Sequence, residues 1–168
     1  MERIIAIDPG TSYTGFLSYT GKVKLETLEV DKKLVSIGKL SAMVDKILSK
    51  IKQGDFIVME DYGFGGRFFN VQVPELVGIL KYKLYKLKKV KLMMIAPNTV
   101  KKLITGSGRA TKAQVKKSVD LLSKENNVSF NTTHEADSYA IFSVFLKFYS
   151  GNLDEKTMKA LTGRITEF

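Results

Sequence analysis

A single-domain α/β fold, a mixed sheet flanked by helices, follows from three features of the sequence. A nearly continuous apolar run at residues 3–7 ends in an acid, Asp8, and a second run at 56–59 ends in another, Glu60. An amphipathic helical pattern lies between them. At 168 residues the chain fits one domain, for which roughly 100 to 200 residues are usual, and its 44% hydrophobic composition can supply a core.

Residues 3–7 read as a short buried strand, which the turn residues DPGTS (8–12) break before a second extended stretch at 14–19. Thr20-Gly21 then leads into 22–30, where Val23, Leu25 and Thr27 alternate with polar residues as in an antiparallel strand with one wet face. From 33 to 52 the residues Leu34, Ile37, Leu40, Val44, Ile47, Leu48 and Ile51 recur at helical spacing, and Gln53-Gly54-Asp55 stops the pattern. Strand, helix and second buried strand make a right-handed crossover, so the two strands run parallel and present Asp8 and Glu60 at the same edge.

The stretch 61–70 is rich in glycine and aromatic residues and reads as a functional loop; a helix over 73–88 and a strand at 90–95 follow. Pro97 opens a short helix to about residue 104, Gly106-Ser107-Gly108 breaks it, and 112–124 continue as a helix after a basic, flexible connection. A polar connection at 126–131 leads to Thr132 or Thr133 as N-cap of the last strongly apolar helix, 134–148. The domain is expected to span 1–150, with 151–168 as a C-terminal tail. There is no internal repeat, low-complexity tract or linker that would divide the chain.

The absence of cysteine excludes disulfides, thiolate zinc sites and a cysteine nucleophile. The opening MERIIAIDPG has no secretory pattern, and no apolar run approaches the ~20 residues that span a bilayer, so a cytoplasmic protein without membrane contact is expected. A net charge of +10 and a pI near 9.6 point to a polyanionic partner, nucleic acid first, because neutralising phosphates releases condensed counterions. Charge alone does not decide this.

Asp8 and Glu60 at neighbouring strand ends, with Asp137 on the last helix, make three carboxylates that could converge. They would repel unless protons or cations neutralised them, and hard oxygen ligands suit magnesium or manganese. His134, the only histidine, lies three residues before Asp137 and so shares its helix face. Two ions held by such ligands would support in-line phosphodiester hydrolysis. Periodicity alone leaves another reading open: Asp8 as the start of an Asp-Pro-Gly turn, Glu60 as surface charge, His134 and Asp137 as helix N-terminal residues.

These residues resemble motifs of the RuvC family of Holliday-junction resolvases, nucleases with a ribonuclease-H-like fold. IDPGTSYTG (7–15) is similar to that family's first-strand acid and turn, VMEDYGFGG (58–66) to its second acid, and the last helix to its paired ligands. PNTVKKLITGSGRATKAQV (97–115), the most specific of the four, resembles the family's basic DNA-approaching segment, and the matches together span about 4–142. The resemblance implies a small phage-type or bacterial member, a homodimer that nicks four-way junctions with two magnesium ions per site, manganese being the alternative.

Position by position, the resemblance makes Asp8, Glu60, His134 and Asp137 metal ligands, with His134 standing where many relatives have aspartate. Lys112 matches a lysine near the scissile phosphate, where a fixed cation stabilises developing charge. Arg109 and Lys116 would hold the neighbouring backbone, with Gly106, Ser107 and Gly108 letting the main chain approach phosphates. Phe64, with Arg67 in the same loop, would meet bases at the junction centre; Tyr62, Phe68 and Phe69 are its aromatic neighbours. The lysine-rich helix corresponds to the family's dimerisation helix, which offers Val77, Leu80 and Leu84 to a twofold interface.

Three alternatives stand beside this reading. One is a less selective endonuclease that also cuts forks and flaps. The second is an actin-like or sugar-kinase-type ATPase lobe, which also begins with a strand and a DxGT turn that meets phosphate. The third is a DNA-binding module without catalysis.

Overall fold

A computed structural model describes residues 2–62, 71–87 and 89–168. The strand β1 (Ile4–Asp8) pairs antiparallel with β2 (Tyr13–Tyr19), which pairs antiparallel with β3 (Val23–Glu29). The helix α1 (Ser36–Leu48) crosses to β4 (Phe56–Glu60), parallel to β1, and α2 (Gln72–Leu87) crosses to β5 (Lys91–Ile95), parallel to β4. Then come α3 (Pro97–Thr105), α4 (Lys112–Glu125), α5 (Thr133–Tyr149), α6 (Glu155–Thr162) and β6 (Ile165–Glu167). One mixed sheet results, in the order β3-β2-β1-β4-β5-β6.

Both faces of the sheet are covered, which explains why β1 and β4 read as continuous apolar runs. Ile5, Ile7, Ile57 and Met59 point to the layer formed by α1 and α2. Their neighbours Ile4, Ala6, Phe56 and Val58 point to the opposite layer, where α5 contributes Tyr139, Phe142 and Phe145. Each fully buried Ile, Leu or Met stabilises the fold by roughly 1.5–3 kcal/mol. Among the described residues no helix is long and apolar enough to cross a membrane.

Three expectations are corrected. The helix expected over 33–52 is shorter, because Asp31 accepts from the Lys33 amide (2.9 Å) and, through its carbonyl, from the Leu34 amide (3.1 Å), and this turn keeps 31–34 out of the helix. The segment 151–168 is no tail. Asp154 caps α6, Leu161 is buried, and β6 adds antiparallel to β5, with the Phe168 amide donating to the Val90 carbonyl at 3.0 Å.

The third correction concerns Val77, Leu80 and Leu84. All three are fully buried in the core shared with α1, so they are not available to a partner subunit. The helical period identified an apolar stripe on α2; the neighbour that covers it is α1 of the same chain.

Candidate active site

Asp8 and Glu60 are the last residues of β1 and β4, whose parallel register sets Ile7 beside Met59 and so brings the two acids to one edge. The turn that follows Asp8 is closed by Thr14, a fully buried residue whose hydroxyl donates to the Gly10 carbonyl (2.9 Å) and accepts from the Gly10 amide (3.2 Å). Gly15 pairs with Asp8 in the sheet, and a β-carbon there would stand 2.0 Å from the His134 carbonyl oxygen. Only glycine lets the first turn of α5 settle this close to β2.

That first turn carries His134 and Asp137. Its N-cap is Thr132, whose hydroxyl accepts from the Glu135 amide (3.1 Å) and shares a hydrogen bond with Thr27 Oγ1 (2.6 Å), so α5 is tied to β3. Buried Glu135 turns away from the acids and accepts from the Asn131 amide at 2.7 Å. His134 Nδ1 stands 3.9 Å from Asp8 Oδ2, an ion-pair distance longer than a hydrogen bond. Its ring stacks on Tyr13, with centroids 5.5 Å apart and an interplanar angle of 15°.

Electrostatics couple the group. Burial, then the charges of Asp8 and Asp137, push the Glu60 carboxyl up to about 8, against the opposing charge of Lys101. Asp137 rises to about 6 through desolvation by the cleft walls and the charge of Asp8, with His134 and Lys112 opposing. The Asp8 carboxylate raises the His134 imidazole above its ordinary value. As they stand, no three His, Asp or Glu side chains among the described residues are gathered closely enough to hold an ion.

A cleft of about 860 Å³ opens over these residues, with Lys101, Lys112 and Lys116 on its wall. Of the residues expected to meet DNA, Lys112 and Lys116 therefore share the cleft with the acids. Gly106, Ser107, Gly108 and Arg109 are not part of its lining; they form a hydrogen-bonded turn between α3 and α4, where the Arg109 amide donates to Ser107 Oγ (3.3 Å) and the Ala110 amide to the Ser107 carbonyl (3.1 Å). Local geometry already accounts for both glycines: Gly106 ends α3 with φ +84°, and a β-carbon on Gly108 would press on the Asn98 carbonyl at 3.2 Å. Phe64 and Arg67, with Phe68 and Phe69, lie outside the described residues.

Two residues of the site escaped the sequence reading. Lys101 was legible, because it sits four residues after Pro97 on α3 and both line the cleft, as i,i+4 residues of a helix must. Tyr13 was not, since nothing in an isolated strand residue shows which ring will lie across it.

The family model for crossover junction endodeoxyribonuclease RuvC matches residues 4–145, all of the site included. The chain belongs to the RuvC family. It is accordingly a structure-specific endodeoxyribonuclease. The RuvC crossover junction endodeoxyribonuclease of Neorickettsia sennetsu is 30% identical over 128 residues, covering 70% of this chain and 76% of its own length. That of Orientia tsutsugamushi strain Boryong is 24% identical over 133 residues, covering 71% and 80%.

The RuvC fold is shared with solved structures. Thermus thermophilus RuvC superposes with a TM-score of 0.66 at 17% identity, covering 99% of both chains. The same protein in complex with a Holliday junction substrate gives 0.62 at 18% identity over the whole of both chains. The fowlpox virus Holliday junction resolvase gives 0.55 at 12% identity, covering 86% of this chain and 98% of its own. Membership of the RuvC family displaces the ATPase-lobe alternative.

Proposed function

We propose that this chain resolves Holliday junctions, nicking four-way DNA by metal-dependent phosphodiester hydrolysis. The observation that carries this is the placement of Asp8, Glu60, Asp137 and His134 in one cleft whose wall carries Lys101, Lys112 and Lys116. Relatives named crossover junction endodeoxyribonucleases and the likeness to resolvases of known structure support it.

The donor set fits magnesium, with manganese as a substitute: three carboxylates and one imidazole that raise or oppose one another's charge are stabilised by a hard divalent cation. Asp8, Glu60, His134 and Asp137 would hold two ions by drawing in from their present spacing, at which no three of them are near enough to share one. Such ions supply an activated water and stabilise the leaving oxygen in phosphodiester hydrolysis. The side chains do the rest. Asp8 and Glu60, fixed at strand ends, hold their oxygens on the rigid sheet edge, while Lys112 and Lys101 offset charge that develops on the phosphate. Lys116 and Arg109 hold the adjoining backbone, with main-chain approach at 106–108, and contact with the bases at the junction centre is the role assigned to Phe64 and Arg67.

A homodimer would set two such sites against two strands. With Val77, Leu80 and Leu84 committed to the core, the face of α2 open to a partner is the stripe of Gly78, Tyr82 and Tyr85, whose tyrosines are 59% and 62% exposed. Light scattering of the parent and of Tyr82→Glu tests it; a parent that stays monomeric overturns it.

The function itself is tested with Asp8→Asn on a synthetic four-way junction. That variant should bind the junction as the parent does in EDTA and lose magnesium-dependent cleavage. Unchanged cleavage overturns the assigned site, and equal cleavage of junction and plain duplex by the parent overturns the branched substrate. Equal rates on forks and flaps would replace resolution with the broader endonuclease activity.

A further inference from the structure

We propose that Tyr13 is a positioning residue for His134, its ring acting as a fixed platform that sets the plane of the imidazole and so aims it as a ligand. This rests on the metal-dependent reading above. The observation is the stack itself: 5.5 Å between centroids and 15° between planes, one partner at the start of β2 and the other in the first turn of α5.

The χ2 torsion of a histidine is broad and roughly two-fold, and His134 is 37% exposed at its side chain, so packing alone leaves the plane of its imidazole loosely defined. Rotation of the ring out of its present plane would remove it from the face of Tyr13. The platform's backbone, in contrast, is tied into the sheet. Tyr13 pairs with Glu29 in the sheet, its neighbour Thr14 is buried and bonded to Gly10, and the Val30 amide donates to the Ser12 carbonyl at 3.3 Å. Lys32 Nζ lies over the Tyr13 ring at 5.9 Å from its centroid and 3.9 Å from Glu29 Oε1, adding a cation–π contact on the same ring.

With the plane set this way, the Nδ1 edge of His134 looks onto Asp8. Groups that orient a ligating histidine typically change metal affinity by about 10- to 100-fold when removed. Tyr13 touches neither reacting atom nor substrate in this scheme; it acts through the imidazole.

The experiment uses the full chain and manganese as the probe. Tyr13→Ala and Tyr13→Leu should weaken Mn2+ binding, followed by paramagnetic resonance of the free ion, by about tenfold, whereas Tyr13→Phe, which keeps the ring, should stay within about twofold of the parent. Thermal unfolding and junction binding in EDTA should not change. Because the chain has a single histidine, its imidazole proton resonances report the stack directly, and they should move downfield in the Ala and Leu variants and hold in the Phe variant. Unmoved resonances, or Ala and Leu variants with parental Mn2+ affinity, overturn the proposal. A His134→Ala variant separates the two readings: parental Mn2+ affinity there overturns the ligand role and with it the platform, while Asp8→Asn cleavage still decides whether the site is metal-dependent.

Discussion

The α-carbon of Gly15 lies so close under the backbone of His134 that a β-carbon on it would stand 2.0 Å from the carbonyl oxygen. The last glycine of DPGTSYTG is therefore a seat for α5, and the distance between Asp8 and the helix pair depends on it. Gly15→Ala should push the first turn of α5 outward. A displacement near 1 Å costs an active site about a hundredfold, so junction cleavage should fall by that order while junction binding in EDTA persists. Parental cleavage rates would show that α5 can be seated in another way.

Glu60 carries a pH dependence that can be read without DNA. Its folded pKa is raised to about 8 by burial and by Asp8 and Asp137, so in cation-free protein its contribution to stability is complete below the unfolded carboxylate range near 4.5 and is lost as pH rises through 8. Glu60→Gln removes that loss. In EDTA its melting temperature should exceed the parent's by on the order of 10 °C at pH 9 and match it at pH 4.5. Magnesium should narrow the difference at pH 9, since a bound cation takes the place of the proton. A gap that is the same at both pH values would contradict the shift.

Lys101 faces Glu60 from α3 and opposes its raised pKa. Lys101→Ala should lower the cleavage rate by about 10- to 100-fold with little effect on junction affinity, because a charge placed at the reacting phosphate acts on the transition state more than on binding. Lys117, exposed on α4 and absent from the cleft lining, is the control: its alanine variant should cleave normally and only soften the salt dependence of binding.

How much of this was legible depends on what kind of contact placed each residue. Asp8 and Glu60 could be paired from sequence because an apolar run between two covered faces ends where the chain meets water, and a single helical crossover forces the two strands parallel. The spacing of His134 and Asp137 needed only helix geometry. Tyr13 needed the seating of α5 on β2, a contact between distant segments that no local pattern encodes. The roles of Val77, Leu80 and Leu84 were misread for the same reason: amphipathicity marks a buried stripe without naming its cover. The segment 151–168 escaped because an eight-residue helix and a three-residue edge strand carry too few apolar positions to show a period.

Asp55 is expected to matter for stability and not for chemistry. It is 3% exposed and accepts from Arg3 Nε (2.8 Å), Arg3 Nη2 (2.6 Å) and the Lys52 amide (2.7 Å), which joins the N-terminal ends of β1 and β4. Asp55→Ala leaves Arg3 without its carboxylate and the Lys52 amide without an acceptor. Breaking such a pair costs about 3 kcal/mol, which urea denaturation would register as a lower midpoint at unchanged slope. Cleavage per folded molecule should be unaltered, since both residues lie at the strand ends opposite Asp8 and Glu60.

Removing 151–168 tests whether the sheet needs its last strand. β6 covers the edge of β5 through Met93–Ile165, Leu92–Thr166 and Lys91–Glu167, and Arg164 Nη1 reaches Asp61 Oδ2 at 3.6 Å, directly after Glu60. A chain ended at Ser150 exposes the β5 edge and uncovers part of the core beneath Leu161, which is 4% exposed in the full chain. Bare edges of this kind promote association. The truncated chain should therefore melt several degrees lower and aggregate near its transition, which scanning calorimetry with light scattering would detect. Arg164→Ala in the full chain separates the two contributions: it breaks an exposed ion pair worth under about 1 kcal/mol, so it should melt almost as the parent does. Any fall in its cleavage rate would then come from the freed Asp61 beside Glu60, and a truncated chain as stable as the parent would make β6 an ornament of the edge and not part of the fold.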